Sequence, residues 1–137
     1  MSYKYTIPDY IAAIEREQAK RATTYPKILK KMERKDVEFT IYDLEIKKQF
    51  NQNQSLNTVL DALKTGVCKS HVQVSLAALE LEREYKMRKR CYPRFIYFKR
   101  ITQETADYEM AIWSELFIYF VESFLTAPIA HKKSLQC

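Results

Sequence analysis

The sequence has one glycine, Gly66, four prolines and two histidines among 137 residues. Tight β-hairpins usually need residues that tolerate positive φ, so the shortage of glycine argues against a sheet and predicts an all-α protein. A single glycine also excludes a glycine-rich phosphate loop, and two histidines leave little capacity for general base catalysis. No serine, cysteine or lysine nucleophile has a recognisable local signature. The sequence therefore predicts that the protein is not an enzyme and uses no cofactor.

Cysteine and long apolar runs are also scarce. Cys68, Cys91 and Cys137 are an odd number at irregular spacing, and no charged-then-apolar leader is visible, which favours a reducing cytoplasm. Cys68 and His71 have a metal-like spacing, but no second pair completes a zinc site, so we expect no metal. The longest apolar run, 116–121, is far shorter than a bilayer span, and we expect no membrane partner.

An internal repeat is the main positive feature. Residues 15–27 reappear in modified form at 82–94, aligned without a gap on a shared Tyr-Pro. Alternating spacings of four and three residues between the packing positions are typical of one helical stripe in both copies. Further along, 43–46 matches 107–110, provided that the first copy carries three extra residues in its intervening loop. The chain therefore looks like two copies of one helical unit.

These patterns predict a single all-α domain over 1–137, built as two pseudo-repeated helical hairpins packed as a bundle. The first hairpin is expected at 7–50 and the second at 74–126. A shorter connector helix at 55–65 should join them, and residues 128–137 should form a loose tail.

Local signals set the predicted helix ends. Pro26 and Pro93 each remove an amide donor, so each long helix should end or kink there and continue only as a short helical piece. Thr102 should cap the last helix, and Gly66 should end the connector helix. The polar run at 51–54 should separate the connector from the first hairpin.

Two motifs in the second copy carry a resemblance to known proteins. Residues 81–94 read LEREYKMRKRCYPR, and residues 101–110 read ITQETADYEM. This order of a helix, Tyr-Pro-Arg, a short loop and a Thr-Gln-led helix resembles a group of small phage and prophage proteins of undefined role. The resemblance implies a phage-encoded accessory protein of helical-hairpin form, located in the cytoplasm of an infected or lysogenic bacterial host. It implies no catalytic residue.

The second copy also concentrates positive charge. Residues 83–100 hold eight Lys or Arg against one acid, a local charge of +7 that exceeds the +6 of the whole chain. Cations interleaved with Tyr and Phe are the footprint expected of a phosphate-binding surface, although a solvated helix face with core aromatics is the other interpretation. The candidate partner- or phosphate-binding residues are Arg83, Lys86, Lys89, Arg90, Arg94, Lys99 and Arg100.

Two arginines interrupt the apolar stripes. Arg21 and Arg88 occupy equivalent positions of the two copies, and a guanidinium on a packing face needs a carboxylate, so each should form an internal ion pair. The expected partners lie at the same level of the returning helix: Asp43 or Glu45 for Arg21, and Asp107 or Glu109 for Arg88.

The last helix is apolar on more than one face. Its four-three stripe contains Trp113, Phe117, Phe120 and Phe124, and neighbouring positions are apolar too. One partner helix cannot cover all of these side chains, which predicts that this face joins a second copy in a homo-oligomer.

Together these features predict a non-enzymatic accessory protein that binds an acidic-surfaced host or phage protein through the basic, aromatic-rich surface. It would act as an inhibitor or adaptor, for example of a defence or replication component. Two alternatives are nucleic-acid binding by the 83–100 patch and a structural role as an oligomeric scaffold.

Overall fold

The computed structural model of the chain describes residues 2–68 and 70–125. Within them the chain forms four α-helices and no strand, and the last helix continues as a π-helical turn at Val121–Leu125. The helices are α1 (Ile7–Arg34), α2 (Phe39–Thr65), α3 (His71–Tyr97) and α4 (Gln103–Phe120). Each helix packs against its neighbour in the chain, and α4 also packs against α1. The prediction of an all-α bundle is therefore confirmed.

The helix ends follow local capping chemistry. Thr6 and Asp9 form a capping box at α1, in which each side chain accepts a hydrogen bond from the other residue's amide. Thr102 caps α4 as expected, since its hydroxyl accepts from the amide of Thr105 at 3.1 Å. Gly66 adopts φ +74°, the left-handed conformation that ends α2.

The helix ends predicted at the prolines and the break predicted at 51–54 do not occur. α1 and α3 both continue past their prolines, Pro26 and Pro93. The run at 51–54 is helical, so no separate connector helix exists at 55–65 and α2 covers both segments. The polar run is compatible with the helix because its side chains bond to α1: the Asn53 oxygen accepts from Arg21 at 3.3 Å, and the Gln52 oxygen accepts from Tyr25 at 2.8 Å.

The two hairpin turns have the same conformation. Asp36 and Lys99 both have positive φ, 51° and 57°, and the next residue's amide bonds to a carbonyl five residues earlier in each turn. Eleven positions separate Tyr25 from Asp36, whereas seven separate Tyr92 from Lys99. The extra residues of the first copy are therefore about one additional turn of α1, not a longer loop.

The apolar core occupies one half of the bundle. It lies where α1 and α3 begin and where α2 and α4 end. Its largest fully buried apolar side chains are Trp113, Tyr10, Phe120, Ile14, Leu56, Leu81, Ile112 and Leu116. The buried residues of α1 stop at Arg21, and those of α2 begin at Gln49. The first hairpin therefore extends beyond the core.

The predicted oligomer face belongs to this core. Trp113 and Phe120 are fully buried within the chain, Phe124 is 8% exposed, and Phe117 packs against the same cluster. Trp113, Phe120 and Phe124 are therefore covered within the chain and are not available to a second copy as predicted, whereas Phe117 is only partly buried. In the part of the chain that the structure describes, no helix is long and apolar enough to cross a bilayer.

Candidate functional site

A layer of six charged side chains lies at the edge of the core, and we call it the central ion cluster. Its members are Glu17, Arg21, Glu80, Arg83, Glu84 and Arg88. All except Arg83 are at least nine-tenths buried. The three carboxylates balance the three guanidinium groups, which is the condition under which buried charges are tolerated.

The cluster repeats the internal symmetry of the sequence. Glu17 accepts from Arg21, four residues later in α1, at 3.0 Å, and from Arg88 of the other repeat at 2.8 Å. Glu84 in turn accepts from Arg88, four residues later in α3, and from Arg21 of the other repeat. Glu17 matches Glu84 in the repeat, and Arg21 matches Arg88. The two hairpins are thus joined by two equivalent cross-repeat ion pairs.

The carboxylates predicted to pair with Arg21 and Arg88 lie elsewhere, so this prediction is wrong. Both arginines lie between α1 and α3, and the carboxylates that pair with them there are glutamates of α1 and α3, not acids of the returning helices. The predicted partners make other contacts: Asp43 with Lys47, Glu45 with Gln49, Asp107 with Gln103, and Glu109 with Arg16 and the Trp113 indole.

The electrostatics of the cluster keep its members charged. Burial alone would raise the pKa of Glu84, but the charges of Arg88 and Arg21 outweigh burial and lower that pKa. Burial also acts to lower the pKa of Arg21, but the charge of Glu84 and hydrogen bonds to Glu80 and Glu84 raise it overall. A carboxylate held ionised by guanidinium groups is a weak base, so this arrangement suits structure better than proton transfer.

Aromatic rings flank the cluster. The Arg88 guanidinium lies 4.2 Å from the centroid of the Trp113 ring, and that of Arg21 lies 5.4 Å from the Tyr25 ring. Burial raises the pKa of Tyr25 to about 12, although the nearby charge of Arg21 opposes the shift. The cluster therefore connects the apolar core on one side to the hairpin ends on the other.

The predicted basic patch is smaller than the sequence suggests. Arg83 belongs to the central ion cluster, as does Arg88, and Lys86 pairs with Glu82 at 3.5 Å. The remaining cations are exposed and form no ion pair within the described residues: Lys89, Arg90, Arg94, Lys99 and Arg100. These five residues lie on the last turns of α3 and in the turn that follows.

Exposed aromatic rings lie among these cations. The side chains of Tyr97 and Phe98 are 79% and 60% exposed, and their rings contact edge to face. The guanidinium groups of Arg94 and Arg100 lie 6.0 and 5.9 Å from the Phe95 ring. The predicted combination of positive charge and aromatic side chains is thus present at the α3–α4 turn.

A second surface was missed in the sequence. No residue in 22–48 is buried, yet this part of the first hairpin carries large apolar side chains. We call these side chains the first-hairpin apolar surface: Ile28, Phe39, Ile41, Leu44, Ile46 and Phe50, which are 40–78% exposed. The available signal was the run at 37–42, which alternates like a strand inside a helical segment and so places apolar residues on both flanks of α2.

A groove accompanies this surface. A cavity of about 550 Å³ opens between α1 and α2, and Tyr25, Leu29, Ile46 and Phe50 are among the residues that line it. Gln49 and Asn53 contribute polar groups to the same lining. A largely apolar groove with a few polar groups is typical of sites that bind an apolar side chain of a partner.

Within the described residues, no group of three or more His, Cys, Asp or Glu side chains could hold a metal ion. Comparison of the chain with protein families, curated proteins and solved structures found no match. The resemblance to small phage proteins therefore stays a prediction.

Proposed function

We propose that this chain is a non-enzymatic, phage-type accessory protein that works by binding another protein, as an inhibitor or adaptor. The first-hairpin apolar surface is the observation that carries the proposal. Six large apolar side chains on one protruding hairpin are more than the scattered exposed apolar residues of an ordinary surface, and such concentrations mark protein interaction sites.

The helical state of the protruding hairpin supports the same conclusion. A helix segment gains most of its stability from packing an apolar face, and residues 22–48 bury no side chain in this chain. Phe39 and Phe50 are the largest exposed side chains of the hairpin, and buried aromatic anchors contribute most to protein interfaces. A partner that covers Phe39 and Phe50 would supply the missing packing.

The charge of the hairpin ends indicates the chemistry of the partner. Lys27, Lys30, Lys31, Arg34 and Lys35 are exposed at the end of α1, where they outnumber the acids Glu33, Asp36 and Glu38. An acidic surface around an apolar centre would complement this arrangement and accelerate encounter. The scaffold alternative loses its support, because the aromatic face on which it rested is buried in the chain's own core.

Site-specific photocrosslinking tests the proposal. A benzoylphenylalanine at Phe39 or at Phe50, introduced in the organism that encodes the chain, should form the same discrete protein adduct from both positions. Gln73, exposed at the start of α3, is the matched control position and should give no such adduct. Phe39→Asp with Phe50→Asp should remove the adduct formed from a crosslinker at Ile46 without unfolding the chain, because both phenylalanines are exposed.

Two results would argue against protein binding. Adducts that are equally frequent at Gln73 would indicate nonspecific contact. Adducts that no longer form when a lysate is treated with nuclease before irradiation would indicate that the protein is held near the chain through nucleic acid.

A further inference from the structure

We propose that a second surface of the molecule binds single-stranded nucleic acid through its phosphates, and that this surface combines the flank of α1 with the α3–α4 turn. We call it the basic corner, and its cations are Lys20, Lys27, Lys31, Lys99 and Arg100. It goes beyond the protein-binding function, because it uses different residues and a different class of partner.

The contact between α1 and the start of α4 brings the two parts of the corner together. A cavity of about 210 Å³ between them is lined by Lys20 on one side and by Ile101 and Thr105 on the other. Ile101 follows Arg100 directly in the chain, and Lys99 precedes Arg100. The cations of the α3–α4 turn therefore lie next to the flank of α1 that carries Lys20.

The periodicity of α1 extends this flank to the level of the turn. Lys27 and Lys31 follow Lys20 by seven and eleven residues, spacings that place all three on one stripe of a helix. At about 1.5 Å per residue, they lie roughly 10 and 16 Å further along the axis than Lys20. Because α1 continues about one turn further beyond Tyr25 than α3 continues beyond Tyr92, this stripe has room to lie beside the α3–α4 turn.

The cations of the corner are free to meet an external anion. All five side chains are exposed, and none forms an ion pair within the described residues. Glu104, in the first turn of α4, is the carboxylate closest in sequence to this turn. Glu17 and Glu109 line the cavity beside Lys20, but both are already paired with arginines, Arg88 and Arg16. A row of unpaired cations beside acids that are few or already paired is complementary to a polyanion, and counterion release makes such binding strong at low salt.

The aromatic side chains select among polyanions. Tyr97 and Phe98 directly precede Lys99 and expose most of their ring surface. Exposed rings beside cations can stack on unpaired bases, whereas the bases of a duplex are already stacked. The combination therefore favours a single strand over a duplex and over an acidic polypeptide, which has no bases to stack.

Fluorescence anisotropy with the full chain tests this inference. The probe is a labelled oligodeoxythymidine of about 20 nucleotides, longer than the roughly 4–16 nucleotides that a small single-strand site covers. We expect it to bind more tightly than a duplex of equal length, and polyglutamate should not compete at equal charge. If all five cations contact phosphates, the logarithm of the affinity should fall with the logarithm of salt concentration with a slope of about −3 to −4.

Charge reversal locates the site. Lys27→Glu with Lys31→Glu should reduce the affinity at least tenfold, and Tyr97→Ala should reduce it about fivefold or more through lost stacking. Lys48→Glu with Lys64→Glu is the matched control: it makes the same charge change at exposed positions of α2 outside the corner, and it should have a much smaller effect.

The outcomes separate this inference from the protein-binding proposal. Phe39→Asp with Phe50→Asp should leave oligonucleotide binding unchanged, because it removes only the first-hairpin apolar surface. Equal losses in the two charge-reversal variants, tighter binding of polyglutamate, or no difference between single strand and duplex would each overturn the inference. Failure of the photocrosslinking experiment would not affect it.

Discussion

The Glu84 carboxylate is fully buried and bonds to three guanidinium groups, those of Arg21, Arg83 and Arg88. Removing charges from water costs free energy, and the attraction inside the protein compensates only when geometry and hydrogen bonding are good. Each buried side chain of the cluster bonds to at least two oppositely charged or polar side chains. The cluster therefore tolerates the loss of a member poorly.

Glu84→Gln tests this dependence at a single residue. The substitution keeps the shape of the side chain but leaves three guanidinium groups facing two carboxylates. We expect the free energy of unfolding to fall by about 3–5 kcal/mol, the usual cost of stranding a buried charge. Urea unfolding followed by circular dichroism measures the change.

The control substitution is Glu82→Gln, two residues before Glu84 in the same helix. Glu82 is 41% exposed and pairs with the exposed Lys86, so Glu82→Gln should cost less than about 1 kcal/mol. If both substitutions had equally small effects, the cluster would not hold the hairpins together.

The positions of the buried arginines could be predicted from the sequence, but their partners could not. The apolar stripe shows that Arg21 and Arg88 face the interior. The repeat also held an unused signal, since Glu17 and Glu84 match each other and precede these arginines by four residues. The contact across the bundle between α1 and α3 depends on how all four helices pack, which no local pattern contains.

At the scale of elements, α1 and α2 each divide into a packed half and an exposed half. The packed halves include Tyr10 and Ile14 of α1 and Leu56 and Val59 of α2, all at most 1% exposed. The other halves meet beyond the core and bury no residue. Local stability follows buried contacts, so these halves should differ in their opening free energy.

Hydrogen exchange measured by mass spectrometry tests that difference. Amides in 26–46 should exchange at least about tenfold faster than those in 53–63 of the same helical hairpin, because opening the protruding end exposes little apolar surface. The comparison within one hairpin serves as its own control. Equal protection at low protein concentration would contradict the expectation, and protection that rises with concentration would indicate self-association through the first-hairpin apolar surface.

The element boundaries show which local sequence signals determine where a helix begins or ends. The caps at Thr102 and Gly66 were predictable, because each satisfies terminal backbone groups without help from the rest of the chain. The prolines and the polar run at 51–54 led to wrong helix boundaries. A proline costs a helix only one backbone hydrogen bond, and an Asn or Gln can remain helical when its side chain finds a partner. Those partners are on α1 and are visible only after packing.

At the scale of the whole molecule, two related hairpins share one apolar core and one layer of charge. The all-α class followed from the shortage of glycine and from the repeat. The oligomer face did not, because the excess of apolar residues on α4 is used inside the chain, where α1 and α3 both cover it. Exposed apolar side chains remain on the first hairpin, where the repeat is one helical turn longer, and also around the start of α3, at Val67, Val72, Leu76 and Leu79.

Two carboxyl groups couple the stability of this molecule to pH. Burial acts to raise the pKa of Glu84, but Arg88 and Arg21 lower it overall. Burial likewise acts to raise the pKa of Glu115, which is lowered overall by hydrogen bonds from the Tyr10 hydroxyl and from the Lys4 and Tyr5 amides at 2.7–2.8 Å. Glu84 joins the two hairpins, whereas Glu115 fixes the segment before α1 to α4.

Acid titration of the unfolding equilibrium tests this coupling. Both pKa values are lower in the folded state than the ordinary value of 4.5, so their stabilisation is complete above that pH and is lost as the pH falls through the folded values. The urea midpoint should therefore be nearly constant from about pH 7 to pH 6 and decrease below about pH 4.5. Glu115→Gln should be less stable than the unmodified chain at neutral pH. It should also lose less stability on acidification, because residue 115 no longer titrates and only the loss from Glu84 remains. A midpoint that stayed constant in acid, or an unchanged acid loss in Glu115→Gln, would show that these carboxylates do not link the elements they touch.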